Sequence, residues 1–273
     1  MSKAPPTSAR KSLAMNIRKA AKPVARSLLA LGIDPRPLKN WVLIPKYLRQ
    51  YSRYKSIGGQ ITHRYPILSD YEEQAGRSSG HYFHQDLLVA SFINEAQPER
   101  HVDIGSRIDG FVAHVASFRS IDVLDVRDLQ DTGHPRIRFI RADLMNEDKA
   151  LENMTDSVSC LHAIEHFGLG RYGDPLNPNG HKLGFNNILR MLKPGGTLYI
   201  SFPIGKSNEI HFNAHRVFHP QDIFGWTNGS NRIELLRFDY VDDAGNLNQN
   251  IDITATELNV NFGCGIYSFR KVV

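Results

Sequence analysis

The stretch His101-Val102-Asp103-Ile104-Gly105-Ser106-Arg107-Ile108-Asp109-Gly110 constrains this chain more than any other. Four residues suited to a short buried strand run into a glycine turn, and Phe111, Val112, Val115 and Phe118 follow at helical spacing. Twenty residues after Gly105 comes Asp125, near the end of a second strand-like run over 121–126. A glycine turn and an acidic strand end at that distance predict a site for a nucleoside-type ligand. Glycine lets the backbone approach the ligand, and a carboxylate accepts both hydrogen bonds of a ribose diol. Arg107 stands where the dinucleotide fingerprint G-x-G-x-x-G has its second glycine, so the pattern is not that motif.

From about residue 100 strand and helix patterns alternate. Strands are expected over 101–104, 121–126, 136–141, 157–162 and 197–203, which predicts a parallel sheet with helices on both faces. A helix over 86–95 precedes them, and another over 183–192 ends at the turn Lys193-Pro194-Gly195-Gly196. Two later runs, 233–240 and 262–270, are expected to pair antiparallel at the sheet edge.

The net charge of +5 is unevenly spread. Residues 1–55 hold thirteen of the 33 Lys/Arg and, in Asp34, one of the 28 Asp/Glu, so the remaining chain is acidic. Three regions follow: a basic arm over 1–55, a linker or lid with a leading helix over 56–99, and an α/β domain over 100–273. Residues 1–10 read as disordered and 11–31 as an amphipathic helix interrupted at Pro23. Such an arm suits a helix packed on the domain, a peripheral anchor on an anionic membrane surface, nucleic-acid binding or organelle targeting. No apolar run approaches the roughly 18–20 residues of a membrane span. The two cysteines, Cys160 and Cys264, make no disulfide framework and are expected as buried thiols, which fits a reducing compartment.

Five motifs in order resemble the class I S-adenosylmethionine (SAM) methyltransferases over roughly residues 80–271. Asp103-Ile104-Gly105-Ser106 is similar to motif I, Asp125 to the ribose-binding acid, and Asp143-Leu144 to the segment beside adenine. Glu165-His166 resembles the end of the fourth strand, and Leu192-Lys193-Pro194-Gly195-Gly196 the turn before the fifth. The resemblance implies a Rossmann-like, mostly parallel seven-stranded sheet with helices on both faces, to which the basic helical arm is an N-terminal extension. It implies SAM as cofactor, with Asp103, Gly105, Ser106, Gly110, Asp125, Asp143 and Leu144 around it. The run from Glu165 to Asp174 resembles a branch of unknown function, DUF268, connected with bacterial glycan modification.

His162, Glu165 and His166 form the sharpest local signal. H-x-x-E-H also spells an inverted zinc-protease motif, but here it ends a strand instead of lying in a long helix. The cluster resembles the E-x-x-E-H of metal-dependent O-methyltransferases, with His162 in the first position and His215 as a further ligand. A divalent metal on His162, Glu165, His166 and His215 would orient a hydroxyl and lower its pKa, and mixed His/Glu ligation suits Mn, Fe, Co or Zn better than Mg. The metal-free alternative makes His166 the general base, oriented by Glu165 or Asp174; in a third, Glu165 and His166 only hold the cofactor loop. Arg171, Tyr172 and Asn177, in a Gly/Pro-rich loop, suit a sugar ring and its hydroxyls.

These readings predict a SAM-dependent O-methyltransferase acting on a sugar hydroxyl of a saccharide or lipid-linked glycan. It is expected to be cytoplasmic, peripheral on the inner face of the membrane. The alternatives are an RNA 2′-O-methyltransferase whose arm grips phosphate and an inactive partner subunit with the methyltransferase fold.

Overall fold

A computed structural model describes residues 31–32, 34, 36–71, 73–76, 78–129, 133–228, 232–254 and 258–272. The chain forms two compact units, Met1–Gly76 and Arg77–Val273. Apart from Leu31, the disordered tip and helix expected over 1–31 lie outside the described residues.

In the first unit a 3-10 segment, Arg36–Leu43, leads into helix α1, Ile44–Ser56. Pro45 sits in its first turn, where a missing N–H costs nothing. None of its residues is buried, and Lys46, Arg49, Arg53 and Lys55 all lie on the surface. Among the described residues no helix is long and apolar enough to cross a membrane.

The second unit is built on strands β1 (His101–Ile104), β2 (Ile121–Asp125), β3 (Ile137–Arg141), β4 (Thr155–Leu161), β5 (Leu192–Ile204), β6 (Glu209–His211), β7 (His215–Val217), β8 (Arg232–Val241), β9 (Leu247–Asn248) and β10 (Gly263–Val272). Its helices are α2 (His81–Ala96), the short α3 (Ala113–Ala116) and α4 (Gly180–Met191). Eight strands form one sheet in the order β3-β2-β1-β4-β5-β10-β8-β9, and β6 with β7 makes a separate hairpin. The first five are parallel, as expected of the class I methyltransferase topology. The later runs pair antiparallel as expected, β10 with β8, and β10 also bonds antiparallel to β5, so the pair closes the sheet beyond the fifth parallel strand. Two polar-backbone edges are thereby satisfied by one strand. The sheet holds eight strands where seven were expected, because the two-residue β9 pairs with β8 at its edge.

Strand β1 is buried on both faces, as a central parallel strand must be. Val102 and Ile104 join a core with Val158, Cys160, Phe185, Ile188, Leu189, Ile200 and Phe202, under α4. The other face carries a second core, Val89, Ile93, Phe111, Val115, Ile121, Val123, Tyr199 and Ile266, under α2. On that same side His101 and Asp103 lie in a buried polar row. His101 reaches the Ser157 and Ser159 hydroxyls at 2.8 and 3.0 Å, and Ser159 donates to Asp103 at 2.6 Å.

Candidate functional site

The carboxyl ends of β1, β2, β3 and β4 meet, which is where ligands bind in open α/β sheets. Gly105 follows β1 at φ +70°, and a Cβ there would stand 2.9 Å from the Ala163 Cβ. Asp125 ends β2, Asp143 and Leu144 follow β3, and His162 follows β4. Gly105, Asp125, Asp143 and Leu144 therefore share one cleft, walled by Ile104, Leu124, Ala142 and Met145. The Asp125 carboxylate accepts from the Arg127 backbone and Nε at 2.9 Å each and from Nη2 at 2.5 Å. The same guanidinium lies 4.4 Å from the centre of the Tyr172 ring. Asp143 accepts from Met145 N and Asn146 Nδ2, fixing the turn after β3.

Three expected cofactor residues sit elsewhere. Asp103 is fully buried and lines neither the first cleft nor its neighbour; it accepts from Ser106 N, Ser106 Oγ and Ser159 Oγ. Burial pushes its carboxyl up to about 6 despite those bonds. Ser106 borders the second cleft, and Gly110 faces the Asp86 carboxylate, which would be 3.3 Å from a Cβ at that position.

The second cleft, of about 400 Å³, adjoins the first through Gly105, Arg127, His162, His166 and Tyr172, which line both. His162 takes a left-handed backbone, φ +49°, so its ring turns back over the following 3-10 turn, Ile164–His166. Its Nδ1 lies 2.8 Å from Glu165 Oε1, and Glu165 is 1% exposed. A carboxylate can only accept, so Nδ1 carries the proton. Burial works against charge on His162, but Cys264 and Glu165 outweigh it and hold its pKa well above the ordinary imidazole value. Burial likewise pushes Glu165 up, and attraction to His162 and then His166 brings it below the usual carboxylate range.

His166 is set up differently. Its Nδ1 lies 2.7 Å from the Ala214 carbonyl and must donate, leaving Nε2 as the basic atom, 3.7 Å from Glu165 Oε1. Burial lowers its pKa, an effect Glu165 offsets only in part. His166 is therefore a neutral base at pH 7, with Nε2 and a carboxylate behind it.

Asp174, expected to orient His166, instead holds its own loop: it accepts from Gly168, Gly170 and Tyr172 N–H groups at 2.8, 3.3 and 3.1 Å. Tyr172 meets the His166 ring edge-on at 5.6 Å, and Arg171 donates to the Ala214 carbonyl at 2.8 Å. Asn177 borders neither cleft. It makes a turn with Asn179, and its carbonyl would be 2.1 Å from a Cβ on Gly168, which sits at φ +77°. His215 lines the second cleft with its Nε2 buried and unpartnered. Among the described residues the three metal-type donors that converge are those of His81, His162 and Cys264; Glu165, His166 and His215 join no such set.

Sequence reading missed Arg216, which is 2% exposed and donates to the carbonyls of Glu165, Phe167, Asn177 and Pro178. It also missed Gln85, which accepts from Ser201 Oγ at 2.6 Å and donates to Asp86 at 3.1 Å. A buried arginine without a carboxylate partner has no sequence signature. Gln85 and Asp86 could have been found from the polar pair breaking the apolar face of α2.

No curated protein matches the sequence. Among solved structures the chain is similar to the [4+2]-cyclase SpnF, at 16% identity over 74% of this chain and 86% of that one, with a TM-score of 0.52. It is also similar to the 1,6-didemethyltoxoflavin-N1-methyltransferase of Burkholderia thailandensis (13% identity, 69% and 79% covered, TM-score 0.45). The N-methyltransferase NodS of Bradyrhizobium japonicum gives 11% identity, 70% and 88% covered, and a TM-score of 0.45. The family model described as "Caenorhabditis protein of unknown function, DUF268" matches residues 114–261, which contain β2 through β9 and both clefts' acidic and histidine residues from Asp125 to His215. The chain thus belongs to the DUF268 family, built on the Rossmann-like fold of the class I SAM-dependent methyltransferases.

Proposed function

We propose that the protein is a SAM-dependent O-methyltransferase whose acceptor is a hydroxyl of a saccharide or lipid-linked glycan. The observation that carries this reading is His166, a neutral imidazole whose basic Nε2 stands where the two clefts join, with Glu165 3.7 Å behind it.

The first cleft fits the nucleoside part of SAM. Gly105 is bare where the backbone must be approached, the Asp125 carboxylate closes β2, and apolar side chains wall the space between. Asp125 would hold the ribose diol after parting from Arg127, and Asp143 and Leu144 would border the base. SAM supplies an electrophilic methyl group carried on sulfur. A sugar hydroxyl is a weak nucleophile at neutral pH, so the protein must take its proton as the new bond forms. His166 Nε2 accepts that proton, Glu165 stabilises the imidazolium, and the Ala214 carbonyl keeps the ring in the right tautomer. Tyr172 offers a ring face at the cleft junction, and Arg171 a hydrogen-bond donor beside it. His162 Nδ1 and Glu165 Oε1 bond each other, so this chemistry uses that pair as it stands, without the metal ligand set His162, Glu165, His166 and His215.

The basic arm is proposed to keep the protein on an anionic membrane surface, inside the cell. Exposed Lys46, Arg49, Arg53 and Lys55 beside exposed Trp41, Val42 and Leu48 support this part.

Incubation with methyl-labelled SAM and a saccharide panel tests the reading. Label is expected on a sugar oxygen, with transfer falling roughly 10²–10⁴-fold in His166→Gln. Label appearing only on nitrogen, carbon or an RNA 2′-oxygen would overturn it.

A further inference from the structure

His81, Cys264 and His162 come from the start of α2, from β10 and from the end of β4, yet their ligand atoms all lie within 4.8 Å of one another. We infer that they form a transition-metal site of two imidazoles and one thiolate, with its open position facing the second cleft.

The strongest support is His162. Its side chain is 7% exposed, Nδ1 is pinned to Glu165, and Nε2 is buried without a hydrogen-bond partner. A buried polar atom left unpaired is costly, so its retention calls for a ligand. A histidine whose remote nitrogen is held by a carboxylate is the arrangement that orients a metal ligand and raises its basicity. His81 is also held in place: its ring stacks 5.3 Å from His162 and lies 5.6 Å from the Phe262 ring. Cys264, two residues beyond Phe262, makes long sulfur contacts, 3.6 Å to Gln85 Oε1 and 3.8 Å to the Gly265 carbonyl, and lies beside His162, its proposed co-ligand.

Donor chemistry narrows the ion. Two nitrogens and a sulfur suit zinc, cobalt or copper and disfavour magnesium and calcium, which take oxygen ligands. Tetrahedral zinc at Zn–N ~2.0–2.1 Å and Zn–S ~2.3 Å sets donor separations of about 3.3–3.6 Å. Closing from the present limit takes side-chain rotation of about an ångström. The metal displaces the protons on the Cys264 thiol and on His162 Nε2, which leave to solvent, and no oxidation state changes. Three protein ligands leave a fourth position, and His81 and His162 both line the cleft that also holds His166. A ligand hydroxyl or water would complete the sphere there. The site does not depend on methyl transfer, and its test reads metal binding alone.

The full chain, stripped by chelation, is titrated with Co²⁺ and then Zn²⁺. One equivalent of Co²⁺ is expected to give tetrahedral d–d bands and a thiolate-to-cobalt charge-transfer band, and Zn²⁺ should bleach both. Cys264→Ser should lose the charge-transfer band, His81→Gln should bind at least 100-fold more weakly, and Glu165→Gln should bind roughly 10–100-fold more weakly through loss of the brace. His81 is partly exposed, so its variant remains informative if Cys264→Ser unfolds. Absence of a charge-transfer band in the unmodified chain, or equal affinity in His81→Gln and Glu165→Gln, would overturn the site.

Discussion

His162 and His166, four residues apart, do different work because their Nδ1 atoms meet different partners. His162 gives its Nδ1 proton to Glu165, whereas His166 gives its own to the Ala214 carbonyl. A carbonyl cannot hold positive charge on the ring as a carboxylate does, so burial prevails and His166 stays neutral at pH 7. The acid limb of kcat/KM should therefore lie below the ordinary imidazole value of about 6.5 and shift upward in Arg171→Gln, because the guanidinium is one of the charges lowering it. A limb above 6.5, or one unmoved by that substitution, would remove His166 as the base. His101 gives a stability prediction at the same scale. Burial lowers it to about 3, so the unfolded chain binds a proton between pH 6.5 and 3 that the folded chain refuses. Its contribution is constant above pH 6.5 and becomes increasingly destabilising as pH falls toward 3. Denaturant titrations of the unmodified chain and His101→Gln should converge as pH drops through that window; parallel curves would contradict the assignment.

At the scale of elements, the loop from Gly168 to Asn179 is held by backbone bonds that no pattern announces. Arg216 donates to four carbonyls beneath it, and Gly168 passes where any side chain would strike Asn177. Arg216→Leu leaves those carbonyls buried and unpaired, so a loss of about 2–4 kcal/mol is expected in chemical denaturation, with faster amide exchange confined first to 165–179. A loss under about 0.5 kcal/mol would mean water takes over the bonds. The contrast explains what could be read in advance. Strands β1 to β5 were legible because alternating apolar residues and the Gly105 and Pro194-Gly195 turns are local signals. The pairing of β10 with β8 was expected too, but not its place beside β5, since a run such as Gly263–Val272 carries no mark of every strand it will join. The expected cofactor acids divide on the same ground. Asp125 ends β2 and Asp143 lies in the turn after β3, and both open on the first cleft. Asp103 alternates onto the buried face, where Ser106 and Ser159 consume its oxygens. His81 and Cys264, 183 positions apart, meet only through the fold.

For the whole molecule, charge separates the chain into a basic first unit and a mildly acidic second one. An exposed basic helix with adjacent tryptophan and leucine binds an anionic surface by charge and by apolar insertion together. Deleting residues 1–55 should release the protein from phosphatidylserine vesicles without altering its affinity for S-adenosylhomocysteine, and undiminished vesicle binding would sink the anchor. The fold itself does not fix chemistry, as its likeness to a cyclase shows. The nucleoside cleft beside His166 is the claim on which the rest depends, and calorimetric titration of S-adenosylhomocysteine into the full chain tests it most directly. One site of micromolar affinity is expected, weakened at least tenfold by Asp125→Asn and unchanged by His166→Gln; no binding, or binding indifferent to Asp125→Asn, would contradict the account.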